Sequence, residues 1–442
     1  MRVAVVGAGI VGVTAAYELA ADGHEVTVLE RRGSVAAEAS FANAGVVAPG
    51  YVTPWAAPGM PGKVLSYLLA RHAPVRLSPL LDAGTLAWLW KWWRACSPRR
   101  YQANRTSMQR LAMFSRERLH HLTHDLQLEY ERNEGYLVLL RSAKDLAAAQ
   151  PGLKLLSALG VPFDQLDAAG CRRVEPGLNP ATALHAGIYL ASDEVANCRQ
   201  FALLMRAQAE RLGARFRFHT TVQALRPGPA PALTCQFLPP EDSAPSSIAA
   251  EARSSGGPVT EAFDAIVLCA ALGAPALLAP HGLRLPLLAV HGYSITAPLR
   301  HLDEHPELGP RSALMDERYK VAISRLGNRV RVAGSAELGG RLAHHHPGAL
   351  ATLYKVLDDW FPGAARLSQA QRWKGARPML PDGPPVLGAS GIEGVWLNLG
   401  HGSSGWALAC GSARVLAEAL AGRAPPIDVE GLDVSRLVRA RA

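Results

Sequence analysis

The first thirty residues contain two short strand-like runs separated by one longer amphipathic stretch. Residues 3–6 are all apolar, a pattern typical of a strand buried on both faces. Residues 13–21 place Ala, Tyr and Leu on one helical face, Asp22-Gly23 ends that pattern, and residues 25–29 form a second strand-like run. The pattern predicts one β-α-β unit, the building block of a parallel sheet.

Helical and strand-like segments continue to alternate downstream. Helices are predicted at 63–132, 144–159, 199–212 and 347–360, and short strands at 136–140, 214–218 and 265–269. Alternating positions at 291–296, 320–325 and 328–333 predict antiparallel strands. Two stretches rich in Gly, Ala, Pro or Ser are predicted to be irregular, namely 34–62 and 226–260, the second as an exposed loop or hairpin tip.

A glycine motif connects the first predicted strand to the first predicted helix. Gly7, Gly9 and Gly12 allow, in turn, a tight turn, the close approach of a pyrophosphate, and close packing of helix on strand. The pyrophosphate then lies at a helix N-terminus, where free N–H groups and the helix dipole favour an anion. Glu30 ends the second strand, 18 residues after Gly12, where a carboxylate can accept the ribose hydroxyls of an adenosine. Together they predict a site for an adenine dinucleotide.

Two further segments of small residues favour FAD over NAD as the dinucleotide. The segment Ser40-Phe-Ala-Asn-Ala-Gly45 follows the basic pair Arg31-Arg32 and can lie against an extended flavin. Residues 400–405 precede an Ala/Leu-rich helix, whose N-terminus suits the negative charge of a reduced flavin. The residues of the predicted FAD site are Val3, Val6, Gly7, Ala8, Gly9, Ile10, Val11, Gly12, Glu30, Arg31, Ser40, Asn43, Ala44, Gly45, Val222, Gly273, Gly400, His401, Gly402, Ser403, Ser404 and Gly405.

Three side chains in the second half of the chain are candidates for work on a substrate. Arg377 lies in a predicted loop, where its guanidinium can clamp a carboxylate, although a solvated surface arginine is the alternative. Tyr319 heads a predicted strand and can donate to the same carboxylate or pack as a structural tyrosine. His401, beside glycines, is either an acid–base group or a hydrogen-bonding filler.

The composition is that of a globular protein without membrane spans, with 49% hydrophobic and 19% charged residues. An excess of 46 basic over 37 acidic side chains suits an anionic partner, whether small molecule, lipid or nucleic acid. Six scattered cysteines lack metal-ligand spacing and predict buried thiols in a reducing compartment. Because no signal sequence or spanning apolar run is seen, we expect a cytoplasmic protein.

A tryptophan-rich segment raises the question of membrane contact. Residues 86–94 include Trp88, Trp90, Trp92 and Trp93, with Lys91, Arg94, Arg99 and Arg100 adjacent. Aromatic and basic residues together suit peripheral contact with anionic lipid on the inner face of the cell membrane. The same tryptophans would equally fill an ordinary core.

These motifs resemble the FAD-dependent D-amino-acid dehydrogenase small subunits of bacteria, within the D-amino-acid oxidase superfamily. The resemblance covers nearly the whole chain and, beyond the glycine motif, rests on Ser40-Phe-Ala-Asn-Ala-Gly45, Pro54-Trp-Ala-Ala-Pro58-Gly59, Gly292-Tyr-Ser-Ile-Thr296, Tyr319-Lys-Val-Ala-Ile323, Arg377-Pro-Met379 and Gly400-His-Gly402. It implies that Arg377 and Tyr319 hold the substrate carboxylate and that Tyr51 and Trp55 belong to a loop covering the site. Residues 400–405 would face the isoalloxazine.

The resemblance also implies a reaction and a fold. The reaction is oxidation of D-amino acids, D-alanine among them, to 2-oxo acids and ammonia, with electrons passed to a quinone or another respiratory acceptor. The fold is α/β, with a Rossmann-like FAD-binding domain and a substrate domain built on a mixed or antiparallel sheet with helices. At 442 residues two domains are expected, FAD-binding over 1–50, 195–285 and 375–430, and substrate-binding over 51–194 and 286–374.

The hypothetical mechanism is hydride transfer from the substrate Cα–H to flavin N5, aimed by Arg377 and Tyr319. No acid or histidine in the matched motifs is an evident base. Residues 193–198, His291, the stretch around 238–260 and the residues after 270–273 depart from the family pattern. These departures affect substrate preference and acceptor rather than reaction type. Three alternatives stay open: an oxygen-using oxidase of glycine, sarcosine or D-imino acids, a tRNA-modifying flavoprotein, although no nucleic acid is expected, and a non-catalytic FAD-binding scaffold.

Overall fold

The computed structural model describes residues 1–67, 70–78, 81–238, 257–300 and 308–437. The helices in these residues are α1 (Ile10–Ala21), α2 (Met60–Tyr67), α3 (Ala83–Ala95), α4 (Pro98–Asp125), α5 (Ala143–Ala158), α6 (Ala168–Val174), α7 (Cys198–Arg211), α8 (Ala274–Leu278), α9 (Pro347–Trp360) and α10 (Gly405–Leu420). The strands are β1 (Arg2–Val6), β2 (Glu25–Leu29), β3 (Val46–Val47), β4 (Val75–Leu77), β5 (Arg132–Leu140), β6 (Asp164–Asp167), β7 (Ala186–Ala196), β8 (Arg215–Arg217), β9 (Thr220–Arg226), β10 (Ala232–Phe237), β11 (Val259–Ala262), β12 (Ala265–Leu268), β13 (Leu288–Pro298), β14 (Ala313–Asp316), β15 (Val321–Leu326), β16 (Arg329–Leu338), β17 (Gln371–Met379), β18 (Val386–Ala389) and β19 (Val395–Leu399).

The first sheet has six strands in the order β18-β19-β12-β1-β2-β8. β1 is paired in parallel with both β12 and β2, and its residues 3–6 are buried, as the apolar run predicts. Helices α1, α7 and α10 contribute Val13, Phe201 and Trp406 to the hydrophobic core beside this sheet. The arrangement is Rossmann-like, and the carboxyl ends of β1 and β2 meet at one edge, where such folds bind dinucleotides.

The second sheet follows the order β17-β13-β16-β15-β14-β5-β7-β3, with β4 and β6 paired to β16 and β7. Strands β13, β15, β16 and β17 pair antiparallel, and the three strands predicted near 291, 320 and 328 are all present. Both sheets together confirm the predicted α/β class with a mixed second sheet.

The two faces of the second sheet have different neighbours. One face packs against α9, where Tyr293 and Ile323 share a core with Trp360, and we call it the helix face. Because successive residues of a strand face opposite sides, Gly292 and Ser294 face the other side of the sheet. We call this opposite side the site face.

Two predicted segments differ from the structure. The helical stretch 63–132 is wrong at β4, which pairs in parallel with β16. Pro74 explains the break, because proline disfavours helical backbone at the preceding residue. Within 226–260, β10 and β11 form an antiparallel pair that joins β9 in a three-stranded sheet. Residues 239–256 of that predicted loop lie outside the described residues.

The two candidate substrate residues also lie in other elements than predicted. Arg377 is in strand β17 and not in a loop, and Tyr319 lies in the turn that precedes β15 instead of heading the strand. The polar residues around Arg377 hid the strand, whose partner β13 is about eighty positions away. β17 also runs across residue 375, the predicted domain boundary, so that boundary falls inside one strand of the second sheet. The division into two domains itself stays a prediction.

Candidate active site

The glycine motif forms a turn too tight for any side chain at two of its positions. Gly7 has φ +101°, and a Cβ there would lie 2.8 Å from the carbonyl oxygen of Cys269. A Cβ on Gly12 would lie 1.8 Å from the carbonyl oxygen of Gly7. Gly9, by contrast, caps α1 and would meet only the Ser40 hydroxyl, at 3.6 Å. The approach to the N-terminus of α1 is therefore left free of side chains, as a bound pyrophosphate requires.

Glu30 lies at the end of β2, beside this turn, and its side chain is buried. Its carboxylate oxygens accept hydrogen bonds from the backbone N–H groups of Ala8 and Arg32, each at 2.7 Å. Burial raises the pKa of Glu30, while these two bonds oppose the rise. Each oxygen keeps a free lone pair, so the carboxylate is fixed in place and can still accept ribose hydroxyls. The neighbouring Arg31 pairs with Glu38.

The segment 40–45 is hydrogen-bonded to the start of α1 on one side and to the second sheet on the other. On one side the Ser40 hydroxyl accepts from the backbone N–H of Ile10 at 3.1 Å. On the other side, side chains of the second sheet donate to three successive carbonyls. These bonds are Ser294 to Ala42 at 2.7 Å, Arg331 to Asn43 at 3.0 Å and Ser324 to Ala44 at 2.7 Å. The small residues thus connect the start of α1 to the site face of the second sheet.

The glycine-rich residues 400–405 form the second helix N-terminus of the predicted site, between β19 and α10. A backbone bridge joins His401 to Met379, the last residue of β17. The His401 ring is buried against the Ser412 hydroxyl, 3.0 Å away, and burial lowers the pKa of His401 to about 3. A pKa this far below the working pH makes the imidazole a weak base and leaves no imidazolium to act as an acid, so the hydrogen-bonding role fits His401 better than an acid–base role.

Arg377 reaches from β17 across the neighbouring strand β13. Its guanidinium covers Gly292, where a Cβ would lie 2.2 Å from one guanidinium nitrogen, and it donates to the Ser335 carbonyl at 3.0 Å. Ser335 lies in a bulge, since two residues of β16 stand opposite Gly292, and has φ +58°. Burial lowers the pKa of Arg377 to about 10, and no acidic side chain of the described residues pairs with it. The site face therefore presents a half-buried cation without a counter-ion.

Tyr319 does not lie with Arg377. Its ring packs on the helix face, 5.1 Å from the guanidinium carbon of Arg141 and 5.5 Å from the Lys355 ammonium. Alternation along β17 and β13 places Arg377 with Gly292 on the opposite side of the sheet. The predicted sharing of one carboxylate by Arg377 and Tyr319 is thus not supported by the structure.

Tyr51 and Trp55, the residues of the predicted covering loop, have different neighbours, and Tyr51 lies near the start of β15. The Tyr51 hydroxyl donates to a Glu317 carboxylate oxygen at 2.7 Å and lies 3.3 Å from the Lys320 ammonium. Lys320 also pairs with Glu317 and has φ +51°. Trp55 packs against the core beneath α3. The loop is therefore attached to the turn before β15.

The remaining predicted cofactor residues lie around the first sheet. Val3 and Val6 are buried in β1, Val222 packs against the core beside β12, and Gly273 lies in the turn after β12. Of these, Val6 and Gly273 lie at the carboxyl ends of β1 and β12, whereas Val3 lies near the amino end of β1.

Several residues that shape the site were not predicted from the sequence, notably Gly292, Ser294, Ser324, Arg331 and Ser335. Alternation along the strands places Ser294 and Gly292 on one face, and this signal was available. The bulge at Ser335 has no comparable signal, because it depends on the pairing of β13 with β16.

Comparisons with known proteins agree with this geometry. The DAO family, described as FAD dependent oxidoreductase, matches residues 2–419. A D-amino acid dehydrogenase of Cereibacter sphaeroides is 44% identical, over 99% of this chain and 96% of that protein, and one of Rhizorhabdus wittichii is 42% identical, over 99% and 100%. Glycine oxidase from Geobacillus kaustophilus has a similar fold, with a TM-score of 0.70, 20% identity and coverage of 99% and 100%. The chain therefore belongs to the family of FAD-dependent oxidoreductases, as its glycine motif and segment 40–45 predict.

Proposed function

We propose that this FAD-dependent enzyme oxidises D-amino acids to 2-oxo acids and ammonia. The observation that carries the proposal is the Arg377 guanidinium on the site face, which has no acidic partner among the described residues and fits a carboxylate. The substrate class is supported by relatives at 40–44% identity that are named D-amino acid dehydrogenases. D-alanine is included as a substrate.

Arg377 binds and orients the substrate carboxylate. A guanidinium presents donors in a fixed fork, so two parallel bonds to a carboxylate fix the position of the adjacent Cα. The Ser335 carbonyl occupies one N–H and leaves others for the substrate. Gly292 lets the guanidinium lie flat on the strand, since any side chain there would displace it. The gain is one of orientation, which contributes most when the reacting atoms are already close.

FAD, when bound, accepts the two electrons and the hydrogen of the substrate Cα–H. For its binding we propose the residues named in the sequence, with the N-terminus of α1 at the pyrophosphate, Glu30 at the ribose and residues 40–45 along the flavin. Residues 400–405 supply backbone N–H groups at the start of α10. Two observations support this assignment of residues to FAD. Gly9 leaves space at the N-terminus of α1 that a side chain would occupy, and the Glu30 carboxylate is held in place by the Ala8 N–H.

The substrate amine must lose its proton before oxidation, because an ammonium has no lone pair to form the imine. Burial lowers the pKa of His401 to about 3, which makes its imidazole too weak a base to take a proton from an ammonium. No acidic side chain of the described residues lies beside Arg377 to act as a base instead. We propose that the proton leaves to water. Water also hydrolyses the imine product to the 2-oxo acid and ammonia.

The electron acceptor is proposed to be a quinone or another component of a respiratory chain, met at the inner face of a membrane. The enzyme would approach the membrane peripherally, since no helix in the described part of the chain is long and apolar enough to cross one. An oxygen-using oxidase of the same family is the rival, and peroxide yield measured against reduction of a soluble quinone separates the two.

The substrate proposal is tested by anaerobic reduction of the purified yellow protein with matched D- and L-amino acids. We expect D-alanine and other D-amino acids to bleach the flavin absorbance, while L-amino acids leave it unchanged. Bleaching by glycine or sarcosine alone would favour the oxidase reading. A flavin that no amino acid bleaches would contradict the proposal.

A further inference from the structure

The outer side of α3 carries an exposed apolar stripe. Leu86, Trp90 and Trp93 are 54%, 58% and 53% exposed. They recur at i, i+4 and i+7, so they lie on one face of the helix. The rings of Trp90 and Trp93 lie 5.0 Å apart. A group of large apolar side chains exposed together on a protein surface is typical of an interaction site.

The inner side of α3 is already packed. Trp88 and Trp92 are 4% and 8% exposed and belong to a hydrophobic core with Met379. Trp88 also donates its indole N–H to the Met379 carbonyl at 3.1 Å. Two of the four tryptophans thus fill a core and the other two do not, so the exposed stripe is not needed to hold α3 in place.

Positive charge surrounds the stripe. Residues 83–116 contain seven Lys or Arg and no Asp or Glu. Lys91, Arg94, Arg99 and Arg100 are exposed, and no ion pair of the described residues includes them. Of the other three, Arg110 and Arg116 pair with Asp428 and Asp193, and Arg105 is buried. The four charges nearest the stripe therefore face solvent without an ion-pair partner among the described residues.

We propose that the apolar stripe and these four basic residues form a docking surface for an anionic phospholipid bilayer. Trp and Leu side chains enter the boundary between headgroups and acyl chains, while Lys and Arg meet lipid phosphates. A second copy of this chain is a poorer occupant, because its own docking surface would bring like charges together. An anionic bilayer matches both the apolar and the charged part of the surface.

The position of the docking surface connects it to the proposed chemistry. Met379, which Trp88 contacts, ends the strand that carries Arg377 and is bridged to His401 of the glycine-rich residues 400–405. Lipid bound at α3 therefore lies on the part of the molecule that holds the proposed flavin end. The idea that electrons pass to an acceptor in the membrane rests on the proposed function. The binding of lipid by the docking surface does not depend on it.

The test measures co-sedimentation of the FAD-loaded protein with vesicles of phosphatidylcholine, with and without 30 mol% phosphatidylglycerol, at low and high salt. We expect binding to the anionic vesicles, weakened by salt. The double variant Trp90→Ala/Trp93→Ala should bind at least about tenfold more weakly, since it removes most of the inserted apolar area. Lys91→Gln/Arg94→Gln should lose roughly fivefold for each charge removed.

Matched controls change the same residue types elsewhere on the surface. Leu203→Ala/Leu367→Ala removes exposed apolar side chains, and Arg226→Gln/Arg284→Gln removes two exposed charges. Both should bind as the unaltered protein does.

Equal binding of the α3 variants and the unaltered protein would overturn the proposal. A dimer in vesicle-free solution that dissociates in Trp90→Ala/Trp93→Ala would overturn it in favour of self-association. Turnover with a soluble dye should be the same in every variant, and its absence in all of them would count against the proposed function alone.

Discussion

The adenosine end of the site and its substrate end are built in different ways. The first needs about thirty consecutive residues, since β1, the glycine turn, α1, β2 and Glu30 follow one another and assemble locally. The second needs β13, β16 and β17, with a guanidinium from one strand crossing a glycine of the next to reach a bulge in the third. A local unit is specified by sequence spacing, whereas the substrate face is specified by strand register.

The two ends also differ in the kind of contact that supports them. At the adenosine end the constraint is steric, because side chains at Gly7 or Gly12 would overlap backbone atoms. At the substrate end it is electrostatic, because Arg377 is half-buried and pairs with no acidic side chain in the part of the chain that the structure describes. We therefore expect substitutions at the first end to abolish loading with FAD, and those at the second to spare FAD and reduce turnover.

The largest expected effect is at Gly12. Gly12→Ala places a methyl group 1.8 Å from the Gly7 carbonyl oxygen, so α1 must move away from β1. We expect protein that carries no FAD, measured as the ratio of flavin absorbance to protein absorbance after purification. Gly152→Ala is the matched control, since Gly152 also lies inside a helix but has nothing within 4 Å of its Cβ position. That control should keep its FAD and gain stability slightly. An FAD-loaded Gly12→Ala protein would show that the turn is less constrained than the steric argument requires.

The next effect is expected at Arg377, and it tests the substrate end alone. Arg377→Ala should lower kcat/KM for D-alanine about a hundredfold or more, since losing one partner of a buried charged pair costs about 2–5 kcal/mol. Arg377→Lys should recover only part of this, because an ammonium cannot make two parallel bonds to a carboxylate. FAD content should be unchanged in both.

Arg372→Ala provides the control for Arg377, since Arg372 lies in the same strand but is exposed. Its kinetics should match those of the unaltered enzyme. Normal turnover in Arg377→Ala would remove the carboxylate anchor from the proposal. A loss of FAD together with turnover would instead erase the distinction between the two ends.

Features that depend on local sequence spacing were predicted correctly, whereas features that depend on strand register were not. The bounds of β2 and α9 were predicted to the residue, because periodicity is a local signal. The glycine motif indicated a dinucleotide, and the segments 40–45 and 400–405 correctly favoured FAD. Strand β7 and the strand around Arg377 were missed, because polar residues interrupt their alternation and only pairing partners far along the chain define them. The motif 319–323 begins in a turn and continues into β15, and side chains in a turn do not follow the alternation of a strand. The sequence therefore could not show to which side of the sheet Tyr319 points.

The smallest expected effect is that of Tyr319→Phe, and it bears directly on that point. If Tyr319 shared the carboxylate with Arg377, loss of its hydroxyl would raise KM for D-alanine about fivefold or more, the value of one lost hydrogen bond to a charged group. The structure places the ring on the helix face, against Arg141 and Lys355, and phenylalanine preserves both ring contacts. We therefore expect KM and kcat within about twofold of the unaltered enzyme. Tyr51→Phe is the informative companion, because the Tyr51 hydroxyl bonds to Glu317 and lies beside Lys320. A raised KM in Tyr319→Phe, with normal FAD content and thermal stability, would return that hydroxyl to the substrate and require the turn before β15 to rearrange when substrate binds.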